Sequence, residues 1–241
     1  MRLHITVDGA TEERFVKRTL APYLGLRKVY ADARGNLTST DNKTNYEYRG
    51  GIRRHKAYDA IKKDIISWIK KDNNPECRFT TMFDFYALPK DFPKYDEAMG
   101  IQNKYERVVF LENALADNIL KEITGYINNI CFIPYIQLHE FEALILADPQ
   151  RLDCEYLEHD KAIKNIIAMV EKEGGNPELI NDRYDKCPSR RIIKEIPEYE
   201  GDKKAVGPLV AEEIGIDKMR NKCRHFNDWL TRLVALAGVP P

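Results

Sequence analysis

Carboxylates stand at the ends of three strand-like segments in this chain of 241 residues. Asp8 follows the first such segment, with Glu12 four residues later; Asp84 follows the second, and Glu140 and Glu142 follow the third. Carboxylate oxygens are the ligands that Mg²⁺ prefers, and two such ions can activate water and stabilise the leaving oxygen in phosphodiester cleavage. We expect these five acids to form a site for Mg²⁺ or Mn²⁺ if the strands end at one edge of a sheet.

The first acidic segment runs from Val7 to Phe15, from the end of the first strand pattern into the helix pattern that follows it. An acid at the end of a strand, a glycine for a tight turn and Thr11 as N-cap of a helix would hold Asp8 and Glu12 close in space. A simpler interpretation is that both acids only decorate a helix N-terminus, where the macrodipole favours each by about 0.3–1 kcal/mol. Asp84 has a similar alternative, since it could merely cap a turn.

The third acidic segment also contains a histidine. His139 precedes Glu140 and could shuttle a proton or donate a hydrogen bond to a carboxylate. Alternatively, His139 caps a helix and Glu140 lies in its first turn. The sequence alone leaves both interpretations open.

Strand and helix patterns alternate over the first 150 residues, which predicts an α/β fold with a largely parallel sheet flanked by helices. Ligand sites of such folds lie beyond the carboxyl ends of the strands. The remaining residues show only helical patterns, so we predict a core at 1–150 and a helical C-terminal extension packed on it at 151–241. The expected elements are a strand and helix within 2–24, loop or short edge strands at 31–54, a helix at 55–71, a strand at 78–84, a helix at 104–124, a strand at 130–136, and helices at 160–172, 204–214 and 224–236.

The charge balance excludes a strong overall attraction to nucleic acid. Lys+Arg and Asp+Glu both total 38, so any contact with a phosphate backbone must come from local patches. Solvated surface charge explains such patches equally well. The candidates are Arg53, Arg54, Arg190, Arg191 and Lys203.

Other features narrow the class of protein. The first residues lack an apolar signal core and no segment approaches about 20 apolar residues, so we expect a cytoplasmic protein without membrane contact. Five scattered cysteines without a C-x-x-C motif predict reduced, mostly buried thiols. Cys223, His225 and Trp229 fit a helical packing stripe better than a metal site. Motifs of serine hydrolases, P-loop ATPases and zincins are absent from the sequence.

The motifs also carry a resemblance to a known family. Val7-Asp8-Gly9-Ala10-Thr11-Glu12-Glu13 resembles the V-E-G-x-T-E-E signature that opens the Toprim domain, and is most similar to its form in overcoming-lysogenization-defect nucleases. With three further motifs the chain resembles, nearly end to end, the Toprim-like family called domain of unknown function 4276. Those motifs are Thr80–Pro89, Gln137–Leu144 and Cys223–Leu230.

The resemblance implies a Toprim fold and a Mg²⁺-dependent nuclease or related phosphodiester-processing enzyme, in an anti-phage or DNA-processing setting with DNA as the nucleic acid. Asp8, Glu12 and Asp84 would ligate the metal, Glu140 or Glu142 would complete the site, and His139 would assist. Two positions depart from the Toprim pattern. Asp8 replaces a longer Glu, and Tyr86 replaces the second Asp of a D-x-D motif, where a phenol with a pKa near 10 cannot act as a carboxylate at neutral pH.

A function of another class fits the same resemblance. Toprim relatives often work with ATPases of the ABC type, so the chain could be a non-catalytic interaction subunit. Because it has no Walker motif, such an ATPase would have to act in trans. A homo-oligomer is compatible with either function.

Overall fold

The structure, a computed structural model, describes residues 1–40, 47–50, 58–124, 131–180 and 186–238. Its centre is a six-stranded sheet in which the strands follow the order β3-β2-β1-β4-β5, with β6 also paired to β4. Only β3 runs antiparallel to its neighbour. The strands are β1 Arg2–Val7, β2 Tyr30–Thr40, β3 Glu47–Gly50, β4 Cys77–Asp84, β5 Cys131–Ile133 and β6 Ile136–Gln137.

Helices connect and cover these strands. After residue 150 the described residues form helices and no strand. The predicted α/β fold with a largely parallel sheet and a helical C-terminal part is therefore confirmed. The helices are α1 Ala10–Phe15, α2 Ala21–Gly25, α3 Tyr58–Lys71, α4 Tyr95–Met99, α5 Lys104–Ile123, α6 Glu142–Ile145, α7 Asp160–Lys172, α8 Pro188–Glu195, α9 Tyr199–Ile214, α10 Ile216–Lys222 and α11 Arg224–Ala235.

The first helical segment differs from its prediction in two details. Gly9, rather than Thr11, is the N-cap of α1, and Thr11 lies inside the helix. A π-helical turn over Val16–Leu20 joins α1 to α2 just before Pro22. The nitrogen of Pro22 cannot donate a helical hydrogen bond, so the α-helical hydrogen-bond pattern is already interrupted there. The wider π-helical turn lies next to this interruption.

The polar stretch at 31–54, for which loop and short edge strands were both predicted, forms strands where the structure describes it, and the first of them is long. The 11-residue strand β2 lies second from the edge, parallel to β1 on one side and antiparallel to β3 on the other. Main-chain bonds on both sides hold such a strand without an apolar sequence, which is why composition alone does not indicate it. Residues 41–46 and 51–57 lie outside the described part of the chain.

One predicted strand is interrupted. Arg78 pairs with Cys131 and Phe83 with Ile136, so β5 and β6 keep the same offset along β4 on both sides of a break at Pro134. The Thr81 hydroxyl spans this break. It accepts from the Tyr135 nitrogen at 2.9 Å and donates to the Tyr135 oxygen at 3.0 Å.

Two apolar cores cover the sheet. Leu3, Ile5 and Val7 of β1 share one core with α1 and the C-terminal helices, whereas Phe79 and Phe83 of β4 share the other with α3 and α5. Strand and C-terminal residues thus pack in one cluster, while the division at residue 150 stays a prediction. None of the helices in the described ranges is both long and apolar enough to cross a membrane.

Candidate acidic site at the carboxyl edge of the sheet

Strand pairing brings the three acidic segments to one edge of the sheet. Asp8 follows β1, and its nitrogen donates to the Met82 oxygen of β4 at 3.0 Å. Asp84 ends β4 and pairs with Gln137, the last residue of β6. The chain then turns toward α6, which begins at Glu142. We call Asp8, Glu12, Asp84, Glu140 and Glu142 the acidic site.

These acids act on one another electrostatically. Burial, together with the charges of Asp8 and Glu142, raises the pKa of Glu12 to about 8. Burial also raises the pKa of Asp84 well above its ordinary value, and all four other acids add to this shift. The site therefore holds more negative charge than its surroundings compensate.

Glu142 experiences a more balanced environment. Burial and the charge of Glu140 raise its pKa to about 7, while Lys203 opposes the shift. The Lys203 ammonium lies 3.7 Å from Glu142 Oε1, and the Tyr199 hydroxyl donates to the same oxygen at 3.3 Å. Both partners come from α9, which places the C-terminal region at the site.

Glu12 and Glu140 each accept a hydrogen bond from a backbone nitrogen. Glu12 Oε2 accepts from the Gly9 nitrogen at 2.8 Å, so Glu12 serves the helix start as the simpler interpretation proposed, while also standing in the acidic site. Glu140 Oε1 accepts from the Ser189 nitrogen at 2.5 Å, at the beginning of α8.

Asp84 has an oxygen with no compensating donor. Its Oδ1 is shielded from solvent and accepts no hydrogen bond from any residue that the structure describes. A buried carboxylate oxygen without a donor is costly, and a cation or a proton would relieve it. The residue types and this oxygen fit a hard divalent cation.

The acids do not, however, form a closed ligand set in this conformation. Over the described ranges, the three ligand atoms that all lie within 4.8 Å of one another belong to His4, Asp72 and Cys77, at another place in the fold. Mg²⁺ usually keeps several waters and takes only one or two carboxylates directly. A more open group of acids is compatible with that mode of binding.

His139 occupies a special backbone position. Its φ of 67° lies in the left-handed region, its side chain is buried, and its ring nitrogen Nδ1 lies 3.0 Å from the Tyr86 hydroxyl. The Tyr86 nitrogen also donates to the His139 oxygen at 3.0 Å. His139 is thus not a helix cap, since Phe141 is the N-cap of α6. Tyr86 joins the turn after β4 to the turn after β6.

The predicted basic residues have acidic partners. Arg190 Nη1 lies 3.0 Å from Glu200 Oε1, and Arg191 Nη2 lies 3.1 Å from Glu173 Oε1. Lys203 contacts the acidic site itself. Arg53 and Arg54 lie outside the described residues.

Sequence reasoning missed Tyr199 and the Ser189 nitrogen. Nothing in the local pattern around either residue indicates a partner that lies more than 40 residues away. Gly207 of α9 leaves room for the Tyr199 hydroxyl, which would lie 3.2 Å from a Cβ at this position.

A second group of buried acids lies elsewhere in the fold, and we call it the Glu112–Glu178 cluster. Glu112 accepts from the Ile136 nitrogen at 2.8 Å and lies 2.8 Å from His225 Nε2. Glu178 accepts from the nitrogens of His225 and Phe226 at 2.9 and 3.0 Å, which caps the start of α11. His225 therefore packs in the core, as predicted.

The fold and the site define a class: an α/β protein that carries a buried group of acids at the carboxyl edge of a parallel sheet. A family model described as "Domain of unknown function (DUF4276)" matches residues 7–234, and the chain belongs to this family. No curated protein and no solved structure matches the chain.

Proposed function

We propose that the protein is a divalent-metal-dependent nuclease, or a related phosphodiester-processing enzyme, of the Toprim class. The observation that carries this proposal is the acidic site, in which buried carboxylates raise one another's pKa while Asp84 Oδ1 has no donor in the described ranges. A divalent cation would compensate this charge and stabilise the folded protein.

In this proposal Asp8, Glu12 and Asp84 hold Mg²⁺ or Mn²⁺, and Glu140 or Glu142 completes the site. The bound ion would polarise a phosphoryl oxygen and lower the pKa of a water. His139 and Tyr86 would position the turn that carries Glu140.

The surface beside the site supports a polyanionic substrate, with DNA as the expected one. A cavity of about 370 Å³ is lined by four cations and one acid: Lys186, Arg190, Arg191, Lys194 and Glu173. The hydrogen bond from the Ser189 nitrogen to Glu140 joins the start of α8 directly to the acidic site. A phosphate backbone lying along α8 would exchange the present acidic partners for phosphates.

The test is a nuclease assay with Mg²⁺ and Mn²⁺ on plasmid DNA, single-stranded DNA and RNA. Asp84→Asn should abolish cleavage because it removes a ligand and keeps the shape of the side chain. The matched control is Asp117→Asn on the exposed face of α5, which should keep full activity. Equal activity in wild type and Asp84→Asn would refute the proposal.

A binding assay separates catalysis from substrate contact. Replacing Arg190 by Gln should weaken DNA binding and reduce the slope of log K against log salt by about 0.9 or less, as one lost phosphate contact predicts. If Mg²⁺ stabilises the protein through Asp84 but no substrate is cleaved, the alternative function gains: an interaction subunit that works with an ABC-type ATPase in trans.

A further inference from the structure

Three side chains of different metal-binding chemistry meet at the amino edge of the sheet, opposite the acidic site. His4 lies on β1, Cys77 begins β4, and Asp72 directly follows α3. One ligand atom from each lies within 4.8 Å of the other two. The strand register explains the meeting, since Arg2 of β1 pairs with Cys77 of β4.

Existing contacts already orient the three groups toward one point. His4 Nε2 lies 2.8 Å from Asp72 Oδ2, and the Cys77 sulfur lies within 4.8 Å of a ligand atom of each of the other two residues. The imidazole packs against Trp68 and Phe79, with ring centroids 4.6 and 5.1 Å away, which restricts its rotation. A single divalent cation at this point could therefore bind all three groups.

We propose that His4, Asp72 and Cys77 bind Zn²⁺. Imidazole, carboxylate and thiolate are its usual protein ligands, and three of them leave a fourth tetrahedral position for water. The thiolate disfavours Mg²⁺ and Ca²⁺, which take oxygen ligands, so this site and the acidic site would select different ions.

The proton balance of binding follows from the forms in which these side chains bind a metal. The Cys77 thiol gives its proton to solvent and binds as thiolate, while neutral His4 binds through Nε2 and carries its proton on Nδ1. Nδ1 is buried and has no hydrogen-bond partner among the described residues, so it is available for that proton. Binding therefore releases at least the thiol proton of Cys77 for each Zn²⁺.

The surroundings permit an ion to enter. The side chains of His4 and Asp72 are 11% and 21% exposed. Arg2, which lies 2.9 Å from Asp72 Oδ1, is half exposed and can turn away into solvent. The bound ion would join β1, the end of α3 and the start of β4, and would stabilise the fold at the edge that faces away from the acidic site.

The experiment titrates metal-free protein with Zn²⁺, and with Co²⁺ as a spectroscopic probe. We expect one equivalent of tightly bound Zn²⁺, a rise in Tm, and a near-ultraviolet charge-transfer band from thiolate to Co²⁺. Cys77→Ser and His4→Gln should remove the band. Cys154→Ser, which changes an exposed cysteine elsewhere, and Asp84→Asn, which changes the acidic site, should both keep it.

A measurement on the unchanged protein covers the case in which a variant fails to fold. The zinc-edge X-ray absorption spectrum of the wild type should show one sulfur ligand at about 2.3 Å with nitrogen or oxygen ligands. A spectrum with oxygen ligands alone, no tight binding, or a Co²⁺ band that persists in Cys77→Ser would each overturn the proposal.

Discussion

The two groups of buried acids in this protein differ in what their oxygens contact. In the Glu112–Glu178 cluster the carboxylates accept hydrogen bonds from backbone nitrogens, a tyrosine hydroxyl and an imidazole. In the acidic site the strongest neighbours of Asp84, after burial itself, are other acids. Burial alone therefore does not distinguish the two groups; the difference is that Asp84 Oδ1 has no donor among the described residues, whereas the acids of the Glu112–Glu178 cluster do.

The sharpest test of this comparison replaces a carboxylate of the Glu112–Glu178 cluster by an amide. Glu178→Gln should lower the free energy of unfolding by about 3 kcal/mol, because an amide would turn a donor toward one of the two backbone donors at the start of α11. Urea denaturation at pH 7 measures the change.

Glu122→Gln provides the control, because Glu122 lies in a half-exposed pair with Lys62. It should cost less than about 1 kcal/mol. A loss as small for Glu178→Gln would mean that the cluster does not depend on its hydrogen bonds, and the comparison would fail.

The pH dependence of stability should report the acidic site. Folding raises the pKa of Glu12 from 4.5 to about 8 and that of Glu142 from 4.5 to about 7, so the native state binds more protons than the unfolded state in this window. Metal-free protein should therefore lose stability as pH rises from about 5 to 8, by about 2 kcal/mol or more, since one pKa unit is worth about 1.4 kcal/mol.

Denaturation curves at several pH values check this expectation, and Glu12→Gln should flatten the profile. The variant is needed because His225 also has a raised pKa: burial lowers it, but Glu112 outweighs that effect. His225 contributes equally to wild type and variant. Stability that rises over this window in wild type would contradict the assignment.

Asp84→Asn should have the opposite sign to Glu178→Gln. Removing the charge relieves repulsion from the other acids, so the metal-free variant should be more stable than wild type at pH 8, by about 1 kcal/mol. Wild type should gain Tm on addition of millimolar Mg²⁺, and the variant should gain little. Destabilisation by Asp84→Asn would show that Asp84 supports the fold, as the acids of the Glu112–Glu178 cluster do.

The sequence predicts the acids that end the strands, but not the partners that distant helices bring to them. Asp8 and Asp84 were predictable because each follows an apolar strand pattern, and parallel strands end together. Their partners from α8 and α9 were not, because the contacts of Glu140 with Ser189 and of Glu142 with Tyr199 depend on how distant helices pack. The break at Pro134 was likewise hidden, because the apolar run before Pro134 continues after it as far as Ile136.

The smallest expected effect comes from a neutral side-chain donor that α9 supplies to the acidic site, the Tyr199 hydroxyl. Tyr199→Phe removes the 3.3 Å hydrogen bond to Glu142 and keeps the buried ring, so it should cost about 0.5–1 kcal/mol. It should also raise the pKa of Glu142, because that hydrogen bond lowers it.

Tyr105→Phe is the matched change in the Glu112–Glu178 cluster. The Tyr105 hydroxyl donates to Glu178 at 3.2 Å and accepts from Asn176 at 2.8 Å, so its removal leaves a carboxylate and an amide without this partner. Tyr105→Phe should therefore cost more than Tyr199→Phe in parallel urea denaturations. The reverse order would indicate that the acidic site depends on its donors as much as the cluster does, and that Glu142 belongs to the fold and not to a metal site.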